Sequence, residues 1–327
     1  MKNSIDQFIK KKNNKKILFT AGPASLTREN IIGLAPCFGR GDNDYKKTEK
    51  FVLSKIKKIC GLKNIVATQG SGSTALEITA LNFLYGNVLI ISTGYYSDRL
   101  FNLSNFAKKT HRKIKKIEKV NWKNLDNFKK KYDWVWACPT ETSCGLKLPI
   151  KELKKFSNKL NAKLALDATA SVGLESNHKL ADVISFSSCK GLFGLTGASF
   201  ICYNKPPKNK VNSFVLNINN LKEKKMTGPY HTIQSLEPIL RNYNQIRKSV
   251  LINKKKIIKK YKKYLTYKIK NQPLLCTYIN SKIKKNNSKV LLYKPRINLP
   301  GSVICHLGEA HLGSKAKGKI IDFLDLD

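Results

Sequence analysis

Several of five short runs in this 327-residue chain are too continuously apolar to face water on either side: Val88–Ser92, Trp134–Cys138, Leu164–Leu166, Val183–Ser187 and Ser199–Tyr203. Strands that need cover on both faces belong in a sheet with helices above and below, the setting of parallel sheets. The intervening segments Ser73–Leu84, Ser97–Lys109, Trp122–Lys131 and Ile150–Leu160 carry helical patterns, which makes a βαβ series. The expected class is therefore α/β with a mostly parallel sheet, and an apolar content of 41% is ample for its core. From about Thr232 the pattern changes to long helices, Thr232–Arg247 and Ser249–Lys268, then short strands near Leu274–Tyr278 and Val290–Tyr293 and a closing helix after Gly313. We expect an N-terminal arm (1–15), a large domain (16–235) and a smaller α+β C-terminal domain (236–327), without internal repeats.

Composition excludes several classes. The eight cysteines form no Cys-x-x-Cys pair and no His/Cys cluster with zinc spacing, so they read as reduced thiols, with no metal site. Residues Met1 to Lys16 are basic and amphipathic but lack the apolar run of a signal peptide, and no later stretch approaches a membrane span, which places the protein in the cytoplasm. The formal charge of +41 raises the question of nucleic acid. The excess is scattered lysine, whereas groove readers and single-strand channels favour arginine and interleaved aromatics, so no nucleic-acid partner is expected. The densest run, Lys254 to Lys263, has Ile257, Ile258, Tyr261, Tyr264 and Leu265 on one face and reads as a surface helix with a solvated lysine back.

Ligands of open α/β sheets bind beyond the carboxyl ends of the strands, and the informative residues cluster at those expected ends. Gln69-Gly70-Ser71-Gly72-Ser73-Thr74 lies between a short strand and a helix, where glycines, free N–H groups and hydroxyls suit a phosphate; an ordinary helix cap reads the same way. Thr93-Gly94-Tyr95-Tyr96 follows a strand and could lay an aromatic on a heteroaromatic ring or pack an interface. Pro139-Thr140-Glu141-Thr142-Ser143 offers small hydroxyls suited to a phenolate oxygen, or is simply a turn.

Asp167 and Lys190 carry more. Each follows a strongly apolar strand, where an unpaired charge is costly. A strand-end carboxylate that keeps a pyridine nitrogen protonated and a buried lysine that forms a Schiff base and then moves a proton are the two groups that pyridoxal phosphate (PLP) chemistry needs most. Burial would lower the lysine's pKa toward that task.

The chain resembles the class V, fold-type I, PLP-dependent aminotransferases, in the branch of the 2-aminoethylphosphonate–pyruvate and alanine–glyoxylate enzymes. The resemblance runs in order through Phe19-Thr20-Ala21-Gly22-Pro23, Asp42-Asn43-Asp44-Tyr45, Gln69-Gly70-Ser71-Gly72-Ser73, Gly94-Tyr95-Tyr96-Ser97-Asp98-Arg99, Glu141-Thr142-Ser143-Cys144-Gly145, Asp167-Ala168-Thr169-Ala170-Ser171, Ser187-Ser188-Cys189-Lys190 and Thr227-Gly228-Pro229-Tyr230-His231-Thr232. It implies that Ser71, Gly72 and Ser73 cradle the cofactor phosphate, Tyr96 stacks on the ring and Thr142 or Ser143 helps hold it. It also implies that Asp167 pairs with the ring nitrogen and Lys190 carries the Schiff base. Thr227 matches a residue that reaches the neighbouring subunit's phosphate, so a homodimer is implied. The partners implied are a small amino donor, 2-aminoethylphosphonate-like, and a 2-oxo acid acceptor.

The chain also departs from the family. It is shorter than its relatives, with the deficit in the C-terminal domain, and Val303 stands where the family has the arginine for the substrate carboxylate. Arg296, a few residues upstream, could make that bidentate contact or be a surface residue. Cys189 and Pro139 replace the usual Asn or Gln and His. Two other readings stand beside the aminotransferase: a lyase-type PLP reaction on the same fold, and a non-catalytic basic binding protein on this scaffold. Cysteine desulfurase fits poorly, since no cysteine sits in an evident mobile Gly/Ser-rich loop.

Overall fold

The computed structural model describes residues 2–12, 16–23, 26–39, 41–128, 130–223, 227–308 and 324–326. Its centre is a seven-stranded sheet of β1 (Asn64–Gln69), β2 (Gly86–Ser92), β3 (Ile114–Asn121), β4 (Trp134–Ala137), β5 (Lys163–Asp167), β6 (Val183–Ser187) and β7 (Ala198–Tyr203). The spatial order is β1-β7-β6-β5-β4-β2-β3. Only β7 runs against its neighbours, so the other six strands point one way and end on one edge. Successive residues of a strand serve opposite cores, as the period of two requires. Leu89, Ile91, Val135 and Leu166 pack on one side, and Val88, Ile90, Trp134, Trp136 and Ala165 on the other. Helices α1 (Asn43–Cys60), α2 (Gly72–Phe83), α3 (Tyr95–His111), α4 (Ile150–Lys159), α5 (Tyr230–Arg241) and α6 (Tyr243–Lys260) cover and flank this sheet.

Between β2 and β4 one sequence expectation fails and one strand goes unread. Among the described residues of the expected helix Trp122–Lys131, one 3-10 turn forms at Trp122–Asn124, capped by the Asn121 side chain, which accepts Lys123 N at 3.0 Å. Asn and Asp side chains there compete with the helical ladder, and Phe128 turns to stack on Tyr132 at 5.7 Å between ring centroids. The strand β3 escapes the apolar-run criterion because it is an edge. Its apolar residues Ile114, Ile117 and Val120 recur every third position, and the lysines between them blunt the free edge.

Beyond β7 the two expected helices appear with a break at Asn242, earlier than read. The lysine-rich helix is not solvated along its whole back. Lys254 turns inward, donates to the Gln272 carbonyl at 2.7 Å, and burial brings its pKa down to about 8. Among the short strands that follow are β8 (Cys276–Ile279), β9 (Val290–Leu292) and β10 (Ser302–Cys305). Strands β8 and β10 pair antiparallel, with Cys276 opposite Cys305, and β9 pairs in parallel with Ile17–Phe19 near the chain's start. Phe19, Ile257, Tyr261, Ile279, Val290 and Ile304 form a satellite core there. The helix expected after Gly313 lies outside the described residues. Among the described residues no helix is long and apolar enough to cross a membrane, and no His/Cys/Asp/Glu cluster is arranged to hold a metal ion.

Candidate active site

The aligned carboxyl ends of β1, β2, β4, β5 and β6 deliver the sequence-selected residues to one edge. Asp167 is the last residue of β5 and is 2% exposed. Its Oδ1 accepts Thr169 N at 3.1 Å and its Oδ2 accepts Arg99 Nη2 at 2.9 Å. The same guanidinium donates through Nη1 to Ser73 Oγ at 2.9 Å and lies 5.1 Å from the Tyr96 ring centroid. One arginine thus touches three of the residues selected from the sequence, which fixes Ser73, Tyr96 and Asp167 as neighbours. Sequence reasoning gave Arg99 no role. Its available signal was its place three residues after Tyr96, near the start of a helix that leaves a strand end.

Ser71 caps α2, and Thr74 Oγ1 accepts Ser71 N at 3.2 Å. The first N–H groups of such a helix have no intrahelical partner and face the site with the exposed Ser71 and Ser73 hydroxyls. Gly72 is needed for close approach: a Cβ there would stand 3.0 Å from Thr169 Oγ1 and 3.2 Å from its methyl carbon. The Thr169 and Thr140 hydroxyls are buried without hydrogen-bond partners among the described residues. The free N–H groups of α2, the Ser71 and Ser73 hydroxyls, the Asp167 carboxylate and the Tyr96 ring form one set whose chemistry fits a planar ring that bears a phosphate and a basic nitrogen.

Glu141 organises the Tyr96 side and was likewise assigned no role from sequence. Its carboxylate is fully buried and accepts Tyr96 N at 3.1 Å, Ser97 N at 3.2 Å, Thr93 Oγ1 at 3.3 Å, and both the N–H and the hydroxyl of Ser143. It is a carboxylate cap on α3. Burial raises its pKa against the pull of those donors. Gly94 permits the approach, since a Cβ there would meet Ser143 Oγ at 2.8 Å. Ser143 therefore spends its hydroxyl on Glu141 and receives Tyr95 N at 3.3 Å, while Thr142, 3% exposed, lies beside Tyr293, which also neighbours Tyr96.

Lys190 sits in the turn after β6, next to β5 in the sheet, and is half-buried rather than buried as expected. Its backbone is pinned: Phe193 N donates to Lys190 O at 3.0 Å, Gly194 N to Ser188 O at 2.9 Å, and the Tyr243 hydroxyl to Gly191 O at 2.9 Å. A pinned backbone under a long side chain suits a group that must reach two positions. The Cys276 thiol on β8 is held well above its ordinary pKa by its contact with Cys305 and by burial, with Lys254 and then Lys190 opposing that rise weakly. Arg296 is exposed and lies 5.3 Å from the Tyr95 ring centroid, which makes an edge-to-face pair with Tyr96 at 5.3 Å. Val303 is 2% exposed in the core. Thr227 is exposed on the turn that leads into α5.

The fold is that of the fold-type I PLP-dependent aminotransferases. The chain superposes on the alanine–glyoxylate aminotransferase of Nostoc sp. with a TM-score of 0.76 and 16% identity, over 94% of this chain and 92% of that one. It is 22% identical over 258 residues to the 2-aminoethylphosphonate–pyruvate transaminase of Pseudomonas putida, covering 71% of this chain and 70% of that protein. It is 25% identical over 211 residues to the bifunctional phosphonoacetaldehyde hydrolase/aminoethylphosphonate transaminase of Clostridioides difficile, covering 60% of this chain and 33% of that protein. Of several curated relatives it matches, the chain spans less than half the length. The model of aminotransferase class-V matches residues 44–235, a stretch that carries the Gly/Ser turn, Tyr96, Glu141, Asp167 and Lys190, and the chain therefore belongs to the class-V aminotransferase family.

Proposed function

We propose that this protein is a PLP-dependent aminotransferase that moves an amino group between a small amino compound and a 2-oxo acid. The observation that carries the reading is the strand-end pair: an ion-paired, 2% exposed Asp167 on β5 and a pinned, half-buried Lys190 beyond the adjacent β6. The bound cofactor supplies an aldehyde that holds an amine and a ring that withdraws electrons from it. The chain's residues supply the rest. Lys190 is the residue that would hold the aldehyde, and its Nζ would serve as the base that takes a proton from the substrate's Cα. Asp167 would pair with the ring nitrogen and hold a proton there. Tyr96 covers one ring face and keeps water off it, positioned by Glu141 through the α3 N-terminus. Ser71, Gly72 and Ser73 bind the phosphate with backbone N–H groups and hydroxyls. Thr142 bonds the phenolate oxygen, with Ser143 holding Glu141 behind it.

Arg296, over the Tyr95–Tyr96 pair, receives the acceptor's carboxylate in place of Val303. The donor is a 2-aminoethylphosphonate-like amine, a reading supported by the names of the P. putida and C. difficile relatives. The protein works in the cytoplasm as a homodimer, with Thr227 completing the neighbouring subunit's phosphate site, and residues 236–327 form a small domain over the substrate. Single-turnover spectra of the cofactor-loaded protein with a panel of amines and no acceptor test the reaction type. Stoichiometric conversion to the pyridoxamine form supports transamination, and return of the starting spectrum with a cleaved amine defeats it in favour of a lyase.

A further inference from the structure

Tyr293, the residue after β9, contributes a hydroxyl that is buried and has no hydrogen-bond partner among the described residues. Its backbone is tied down, with Tyr293 N donating to Phe19 O at 3.2 Å. The oxygen is close enough to Tyr96 and to the Thr142 hydroxyl to feel both, yet is in bonding geometry with neither. Burial above all, then the neighbouring Tyr96, keeps this phenol protonated well above neutral pH, so its O–H is available to donate. Buried hydroxyls are ordinarily bonded, and one left over beside the residues that face a ligand marks a bond reserved for it. Three residues along the same segment, the Arg296 guanidinium rests over Tyr95, which packs edge-to-face on Tyr96. A neutral donor and a cation from one segment therefore flank a single aromatic pair. Val303, buried on β10 opposite Tyr278, has no polar group to offer.

We propose that Tyr293 is a specificity-determining residue whose O–H, together with the Arg296 guanidinium, holds the carboxylate of the 2-oxo acid over Tyr96. This deepens the aminotransferase reading and rests on it. A carboxylate has two oxygens, and a phenol donor and a guanidinium from different directions fix its rotation as well as its position. A guanidinium alone on an exposed side chain fixes less.

The test uses the PLP-loaded protein, the Tyr293→Phe variant, which keeps the ring and removes only the O–H, and Arg296→Ala. Calorimetric titration with oxamate, an unreactive isostere of pyruvate, should give a Kd raised about tenfold in each single variant. The double variant should lose less than the product of the two, because both residues act on one group. Steady-state kinetics should show KM for pyruvate rising by a similar factor, with kcat changed less than about twofold. The pH titration of the bound chromophore should be unmoved. Unchanged oxamate affinity and KM in Tyr293→Phe overturn the proposal, as does a shifted chromophore titration, which would assign the hydroxyl to the cofactor. Failure of the aminotransferase reading shows itself separately, as absence of the pyridoxamine form in the wild-type single turnover.

Discussion

Replacing Gly173 by alanine should loosen the turn that carries Lys190. Gly173 has φ of +83°, and a Cβ built there would stand 1.9 Å from the Tyr243 hydroxyl oxygen and 2.8 Å from the Gly191 carbonyl oxygen. The left-handed backbone costs an alanine roughly 1–2 kcal/mol. The Tyr243 hydroxyl cannot stay where it is, so its 2.9 Å bond to Gly191 O is lost in a buried setting, at about 1–3 kcal/mol. Together these predict a loss of about 2–5 kcal/mol. Tyr243→Phe removes only the second contribution and should therefore cost less. Urea unfolding followed by near-UV circular dichroism reads both variants, with the denaturant slope as a check that the unfolded state is unchanged. Because Gly191 follows Lys190 directly, Gly173→Ala should also slow cofactor capture by Lys190. A Gly173→Ala protein within about 1 kcal/mol of wild type, or one more stable than Tyr243→Phe, would refute the close-approach argument.

Asp167→Asn should still bind PLP but lose turnover by about a hundredfold or more, since an amide cannot hold the ring nitrogen's proton, and near wild-type turnover would make Asp167 a structural carboxylate. Burial lowers His178 to a pKa of about 4, and burial lowers His306 to about 3 against the pull of the Leu274 carbonyl. Each takes up its proton more readily unfolded, near 6.5, so the stability it contributes is complete above that pH and is lost as pH falls toward 4, at about 1.4 kcal/mol per pH unit for each histidine. Glu141, raised by burial, works in the opposite sense: the stability it contributes is complete below its ordinary value and is lost as pH rises through its raised one. Urea midpoints should therefore fall between pH 6.5 and 5, and a flat profile would contradict the burial of the histidines as neutral rings. If Thr227 serves the neighbouring subunit, dilution that dissociates the protein should release cofactor, and sedimentation of a fully loaded monomer would remove that role.

The apolar strands were legible because each needs cover on both faces, which leaves little choice of residue; Val183–Ser187 matches residue for residue. Edge strand β3 was not, because only one neighbour and one face constrain it, and its three-residue spacing imitates a helix. The lysine-rich helix shows the same limit in reverse. Nothing in the run separates Lys254 from its neighbours, and only the fold brings Gln272 O within 2.7 Å of its Nζ. At the site, Asp167 and Lys190 stood out as charges after apolar strands. Arg99 and Glu141 did not, because their roles depend on contacts 68 and 44 to 48 residues away in sequence, which local pattern does not encode. Tyr293 was hidden for the same reason: its neighbours Tyr96 and Thr142 come from elements far earlier in the chain.

The central claim is that Lys190 is the residue that bonds the cofactor. Loading the protein with PLP, reducing it with borohydride and mapping the peptides by mass spectrometry tests it directly. The account predicts one pyridoxyl label per chain, on Lys190. A label on any other of the chain's many lysines, or none at saturating cofactor, would contradict it.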